Sequence, residues 1–172
     1  MRTIAIGDIH GCSSSLCGLI DYAGINEEDT VVTLGDYVDR GPDTKGVIDT
    51  ILDLRERTRV VSLMGNHEIM MLEARDSAPA LARWMGEGVG GNSTIASYEG
   101  ESLQSIPAQH WEFIEGGLPF HESESHFFVH ANAASHLALK DQDPFMLFWE
   151  KFRKVPAHRS GKIMVCGHTA QK

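Results

Sequence analysis

"TIAIGDIHG", residues 3–11, is an apolar, β-branched run that ends in glycine and then presents Asp8 and His10 two positions apart. It reads as a strand that delivers a carboxylate and an imidazole at its carboxyl end. Two later stretches repeat the design: "VVTLG" (31–35) and "RVVSLMG" (59–65) are apolar runs closed by glycine. A helix-like pattern follows each run. "SSSLCGLIDYAG" (13–24) offers serine caps, "DTKGVIDTILDLRERT" (43–58) offers Asp43 as a cap, and "HEIMMLEARD" (67–76) continues in the same period. Strands alternating with helices predict an α/β fold on a largely parallel sheet.

Further along, "LPFHES" and "SHFFVHA" flank a polar turn and predict a hairpin. A helix is expected around "DPFMLFWEKFR", and "KIMVCGH" reads as a closing buried strand. Residues 77–117 differ in character, with short helices broken by glycine loops. The glycine cluster at 86–91 reads either as a flexible connector or as part of a small helical cap over one face.

At 172 residues, with 42% hydrophobic and 23% charged residues, the chain has the size and balance of one globular domain, 1–172. It contains no run of membrane-spanning length, and no apolar stretch of signal-peptide length opens it, so a cytoplasmic setting is expected. Fifteen basic against 24 acidic residues give a net charge of −9. That sign disfavours nucleic acid and anionic membrane as partners. The acidic excess fits a solvated surface equally well as carboxylates neutralised by a cation. Cys12, Cys17 and Cys166 form no CxxC pair, which suits a reducing compartment.

In open α/β sheets ligands gather at the carboxyl ends of the strands. Those ends carry Asp8 and His10, then Asp36, Asp39 and Arg40 in "GDYVDRG", then Asn66 and His67 in "GNHE". The later strands end at His130 in "VHAN" and His168 in "CGHT". Singly, each has an ordinary reading: a loop, a surface ion pair at Asp39 and Arg40, or helix capping by Asn66 and His67. Jointly, two carboxylates, an amide oxygen and three imidazoles form a mixed oxygen and nitrogen set. Such a set suits manganese, iron or zinc better than calcium. Two ions need a shared ligand, and Asp36, with two oxygens and a place between the others in sequence, is the natural bridge.

The ordered set "GDIHG … GDYVDRG … GNHE … H … GH" resembles the calcineurin-like metallophosphoesterase superfamily, over residues 3–169. "GDYVDRGPDT" and "GNHE" are similar, more narrowly, to bacterial serine/threonine phosphoprotein phosphatases. The resemblance implies two mixed β-sheets packed together with helices outside. It also implies two divalent ions, manganese first and iron or zinc as alternatives. One ion would take Asp8, His10 and Asp36, and the other Asp36, Asn66, His130 and His168. A water or hydroxide bridging the ions would attack phosphorus, His67 would protonate the leaving oxygen, Asp39 would orient His67, and Arg40 would grip the phosphate. Asn66 also counts among the substrate contacts.

The match departs from the family in two places. Relatives commonly carry a second phosphate-binding arginine in a Trp-x-Arg context, whereas here Trp149 is followed at that spacing by Lys151, with Arg153 and Arg159 beyond. Lysine lacks the planar fork, so Lys151 and Arg153 are competing candidates for the second phosphate contact. Relatives also continue some tens of residues past "GHT", where this chain ends at Lys172, which suggests a trimmed or truncated end.

The implied function is hydrolysis of phosphate monoesters, on phosphoserine or phosphothreonine of proteins or on small phosphoesters. A symmetrical diadenosine tetraphosphate hydrolase shares the motifs and is the first alternative; a noncatalytic phosphoprotein-binding module is the second. His110, His121, His126, His136 and His158 match no motif, and Trp84, Trp111 and Trp149 read as packing residues.

Overall fold

The computed structural model describes residues 2–100, 102–153 and 156–170. Strands β1 (Thr3–Ile6), β2 (Thr30–Thr33) and β3 (Arg59–Ser62) form a parallel sheet in the order β1-β2-β3. The crossovers are α1 (Ser13–Ala23) and α2 (Thr44–Arg55), and α3 (Asn66–Asp76) leaves the last strand. Every connection in this sheet carries a helix, so it is wholly parallel rather than mixed. Period-two alternation divides β2 between two cores. Val31 packs with Ile6, Ile20, Val47 and Ile51 under the helices, while Val32 faces a second sheet.

That second sheet contains β4 (Phe120–Glu122), β5 (His126–Val129) and β6 (Ile163–Cys166), in the order β4-β5-β6. β4 and β5 form the expected antiparallel hairpin, and β6 runs parallel to β5. Phe128 meets Val32, Leu34, Val61 and Leu63 between the sheets, while Phe127 and Val129 point the other way, toward Leu139 and Leu147. The fold is thus the expected α/β sandwich of two sheets with helices outside.

Three local expectations are corrected. α1 has no serine cap: Cys12 holds the capping position without a side-chain bond, and Ser13 Oγ instead donates to Asp43 Oδ2 at 2.5 Å. Asp43 is the stronger acceptor because it is a carboxylate, and it also caps α2 through the Gly46 N–H. β6 is an edge strand rather than a buried one, with Ile163 61% exposed. Finally, the helix expected through Arg153 stops after five residues, as α7 (Pro144–Phe148). The chain turns out at Trp149, whose carbonyl accepts from His168 Nε2 at 3.2 Å.

Between β3 and β4 lie α4 (Ala78–Trp84), α5 (Gly91–Ser97), a 3₁₀ turn at Leu103–Ser105 and α6 (Ala108–Glu115). Their Trp84, Ile95, Leu103, Phe113 and Ile114 are buried in the same core as α1, α2 and α3. No helix among the described residues is long and apolar enough to cross a membrane.

Candidate metal centre

The carboxyl ends of the strands deliver their side chains from backbone that bends sharply. His10, Asp36, Asp39, Arg40 and His168 all have positive φ, between 44° and 71°. Such conformations cost on the order of 1–3 kcal/mol each in a non-glycine residue and persist only where the surroundings fix them. Glu68, fully buried in the first turn of α3, is one such fixing residue. Its Oε1 accepts from the Tyr37 and Val38 N–H groups at 2.8 and 3.2 Å, and its Oε2 from those of Asp36 and Gly65 at 2.8 and 2.9 Å. Gly65 is required for this approach, since a Cβ there would lie 2.3 Å from Asp36 Oδ1.

Three imidazoles have their tautomers set by backbone carbonyls. His10 Nδ1 donates to Val38 O at 2.8 Å, His130 Nδ1 to Leu34 O at 2.7 Å and His168 Nε2 to Trp149 O. The opposite nitrogens are left with lone pairs, as a metal ligand requires. His130 Nε2, His168 Nδ1 and Asn66 Oδ1 converge at 2.9–3.2 Å from one another. All three are acceptors in this arrangement, so they cannot satisfy each other, whereas a shared cation would satisfy all three. Burial lowers the pKa of all three imidazoles, that of His10 to about 4, which keeps their lone pairs free at neutral pH.

Two groups of ligand atoms result, and Asp36 belongs to both. His10, Asp36 and His67 form one, and Asp36, His130 and His168 the other, with the atoms of each within 4.8 Å of one another. Asp36 Oδ2 lies 3.5 Å from His10 Nε2, and Oδ1 lies 3.5 Å from His130 Nε2. Burial raises the Asp36 carboxyl above its ordinary range, a cost that a bound cation removes. The donor set therefore fits a pair of divalent ions.

Asp8 is the remaining candidate ligand. It stands beside both groups and its charge acts on His10, Asp36, His130 and His168, yet it completes neither triad. It is exposed, and its Oδ1 accepts from the His168 N–H at 2.9 Å. His67 also stands beside His10, with ring centroids 4.6 Å apart, and joins it in the first triad.

Over the first triad lies a polar relay. Arg40 Nη1 donates to His10 Nε2 at 2.8 Å and Nη2 to His67 Nε2 at 3.0 Å, while His67 Nδ1 donates to Asp39 Oδ2 at 2.6 Å. Burial alone would lower the His67 pKa, but the Asp39 hydrogen bond and the Asp36 and Asp39 charges outweigh it and raise the value. Asp39 also accepts from Trp84 Nε1 at 3.0 Å and Thr94 Oγ1 at 2.9 Å. Trp84 is therefore more than the packing residue its sequence context suggests. Neither it nor Thr94 nor Glu68 was identifiable from the motifs, apart from Glu68 closing "GNHE".

Lys151 and Arg153 are not brought into this relay. Both are exposed, and among the described residues no hydrogen bond or ion pair joins either to Arg40 or to a candidate ligand. Their chain is tethered nearby, because the intervening Phe152 N–H donates to Thr169 Oγ1 at 2.8 Å. His110 lies elsewhere, between Tyr98 and Asp49, and His158 packs on Phe127.

Known proteins share sequence and fold with this chain. The symmetrical bis(5'-nucleosyl)-tetraphosphatase of Nitrosomonas europaea is 28% identical over 137 residues, covering 76% of this chain and 44% of its own. Serine/threonine-protein phosphatase 1 of Salmonella typhimurium is 39% identical over 74 residues, covering 42% of this chain and 32% of its own. A solved structure titled as a putative diadenosine tetraphosphatase superposes with a TM-score of 0.63 at 22% identity, covering 84% of this chain and 57% of that one. The chain thus spans less than half the length of these curated relatives. The family model for calcineurin-like phosphoesterases matches residues 1–172, and the chain belongs to that family.

Proposed function

We propose that this chain hydrolyses phosphate monoesters with two divalent ions, manganese first, and that its substrates are phosphoserine or phosphothreonine side chains of proteins. The observation that carries the reading is Asp36 shared between two converging ligand groups, with the Arg40, His67 and Asp39 relay against one of them. Asp8, His10 and Asp36 would hold one ion; Asp36, Asn66, His130 and His168 the other. Bound there, the ions would acidify a water and polarise the phosphoryl group.

The rest falls to the protein. Arg40 presents a planar fork suited to two phosphoryl oxygens. The lone pair of His10 Nε2 serves one partner at a time, so ligation at that atom frees Arg40 Nη1 for substrate. His67 keeps its Nδ1 proton on Asp39 and gives an Nε2 proton to the leaving oxygen; in the state that carries this proton Nε2 no longer accepts from Arg40 Nη2, which turns to the phosphoryl oxygens. Lys151 or Arg153 would supply the second phosphate contact. The helices within 77–117 would border the substrate, and a cytoplasmic setting belongs to the same proposal.

A second reading, a dinucleotide tetraphosphate as substrate, is favoured by the Nitrosomonas relative, whose match covers 76% of this chain. The wording "VDRGPDT" supports the phosphoprotein reading instead. Phosphate release by the full chain with manganese restored, from a phosphoserine peptide and from diadenosine tetraphosphate, tests both. Peptide turnover that a chelator abolishes is the expected result. Turnover of the dinucleotide alone replaces the first reading by the second, and silence on both overturns the hydrolase reading.

His67→Asn is expected to leave the metal content unchanged and to lower turnover of alkyl phosphates by about a hundredfold or more. Elemental analysis beside the rate decides the role, since loss of metal would make His67 a ligand, as its place in the first triad allows.

A further inference from the structure

We propose that Trp84 and Thr94, outside every recognisable motif, are positioning residues for the leaving-group proton, and that α4 and α5 are thereby parts of the catalytic apparatus. The inference rests on His67 acting as the acid. A carboxylate can orient an imidazole only if it is itself prevented from rotating. Asp39 is fully buried and leaves its strand in a left-handed conformation with φ 71°, so its backbone alone does not fix the plane of its carboxyl group.

Both oxygens are instead held from outside. Trp84 Nε1 donates to Oδ2, the same oxygen that receives the His67 Nδ1 proton. Thr94 Oγ1 donates to Oδ1 at 2.9 Å and accepts from the Asp39 N–H at 2.8 Å. A hydroxyl has one proton, so with that proton on Asp39 the 3.2 Å contact with Thr44 Oγ1 must run from Thr44 to Thr94. The accounting closes: every polar atom of Thr94's side chain is used to fix Asp39 or is fixed in turn by α2.

The indole is equally constrained. Trp84 is 1% exposed, and a Cβ on Gly91 at the start of α5 would come within 2.3 Å of a ring atom. The loop joining α4 to α5 also reaches the relay, since Gly90 O accepts from the Arg40 N–H at 3.4 Å. Two helices that would be packing elements by composition thus grip Asp39 from both sides.

A mere packing role and a positioning role differ in what they do to substrates of unequal leaving ability. p-Nitrophenolate departs without a proton, whereas an alkoxide needs one. Trp84→Phe keeps a six-membered aromatic ring but removes the N–H with the rest of the indole, so it also opens space in a buried site; Thr94→Val removes the hydroxyl with little change of shape, and Thr94→Ser restores it. With the manganese-loaded full chain, Trp84→Phe and Thr94→Val are each expected to lower kcat on an alkyl phosphate about tenfold, the scale of lost outer hydrogen bonds at such sites. KM and turnover of p-nitrophenyl phosphate should stay within about twofold, and Thr94→Ser should behave as the parent.

Equal losses on both substrates, or none, would overturn the proposal. If Trp84→Phe fails to fold, the Val and Ser pair at position 94 decides alone. His67→Asn serves as the reference. If that variant shows no dependence on the leaving group, the acid assignment fails and this inference with it. If His67→Asn shows the dependence and the other variants do not, only the positioning role is refuted.

Discussion

Replacing Asp36 by asparagine is expected to remove both metal ions together and to lower turnover by more than about a hundredfold, since the loss of mere supporting residues at metal sites already costs 10–100-fold. The expectation follows from where the two oxygens point. Oδ2 faces His10 and Oδ1 faces His130, each at 3.5 Å, so among the described residues this carboxylate is the one side chain that belongs to both ligand groups. Asparagine keeps one oxygen and turns the other into an NH₂ group, which donates protons and cannot bind a cation.

The fold should survive the change. Asp36 has φ 53°, a left-handed conformation that asparagine tolerates about as well as aspartate. Its backbone N–H remains anchored on Glu68. Elemental analysis of the desalted protein, set beside its melting temperature, checks the prediction. A variant that melts like the parent but retains one ion per chain would refute the shared-ligand arrangement.

Much of this centre is legible in the sequence because its residues lie directly after strands, where a short motif fixes both the type and the position of a side chain. "GDIHG", "GDYVDRG" and "GNHE" each close one parallel strand, so reading the strand places the ligand candidate. The second sheet is harder to read. "KIMVCGH" has the composition of a buried strand, and only the tertiary arrangement makes it an edge. The helix after Pro144 ends at Phe148, and the Trp149 carbonyl just beyond it accepts from His168, 19 residues later, a partner no local propensity encodes.

The same physics hides Trp84, Thr94 and Glu68. A tryptophan on a helix is normally core, and nothing local announces that its N–H will meet a carboxylate 45 residues earlier in the chain. Asp8 is the converse case. Its motif is clear, but its side chain in this structure accepts from the His168 N–H, while His67 is the residue grouped with His10 and Asp36.

Glu68→Gln should destabilise the chain by about 2–6 kcal/mol, because at least two of the four backbone N–H groups on this carboxylate lose their acceptor, at roughly 1–3 kcal/mol for each buried donor left unpaired. Glutamine has nearly the same volume, so no cavity contributes. Its single oxygen can keep one pair of amides. The NH₂ group must then face the other pair, donor against donor, in a site with no solvent access. Burial and then the Asp36 charge raise the Glu68 carboxyl above the ordinary range, and the amides of Asp36, Tyr37 and Val38 pull it back toward the anion, which is the form the clamp uses. Against a typical total of 5–15 kcal/mol, such a loss is a large share of the stability. For a chain of this length it lowers the melting temperature by roughly 5–20 °C. The melt is best recorded in chelator, where bound metal contributes nothing and the change reads the amide clamp alone. Because Glu68 binds the amides of Asp36, Tyr37, Val38 and Gly65, the same variant should also bind metal more weakly. An unchanged melt in chelator would mean that the loops hold their shape without Glu68, and that the left-handed turn at Asp36 is stabilised by some other contact.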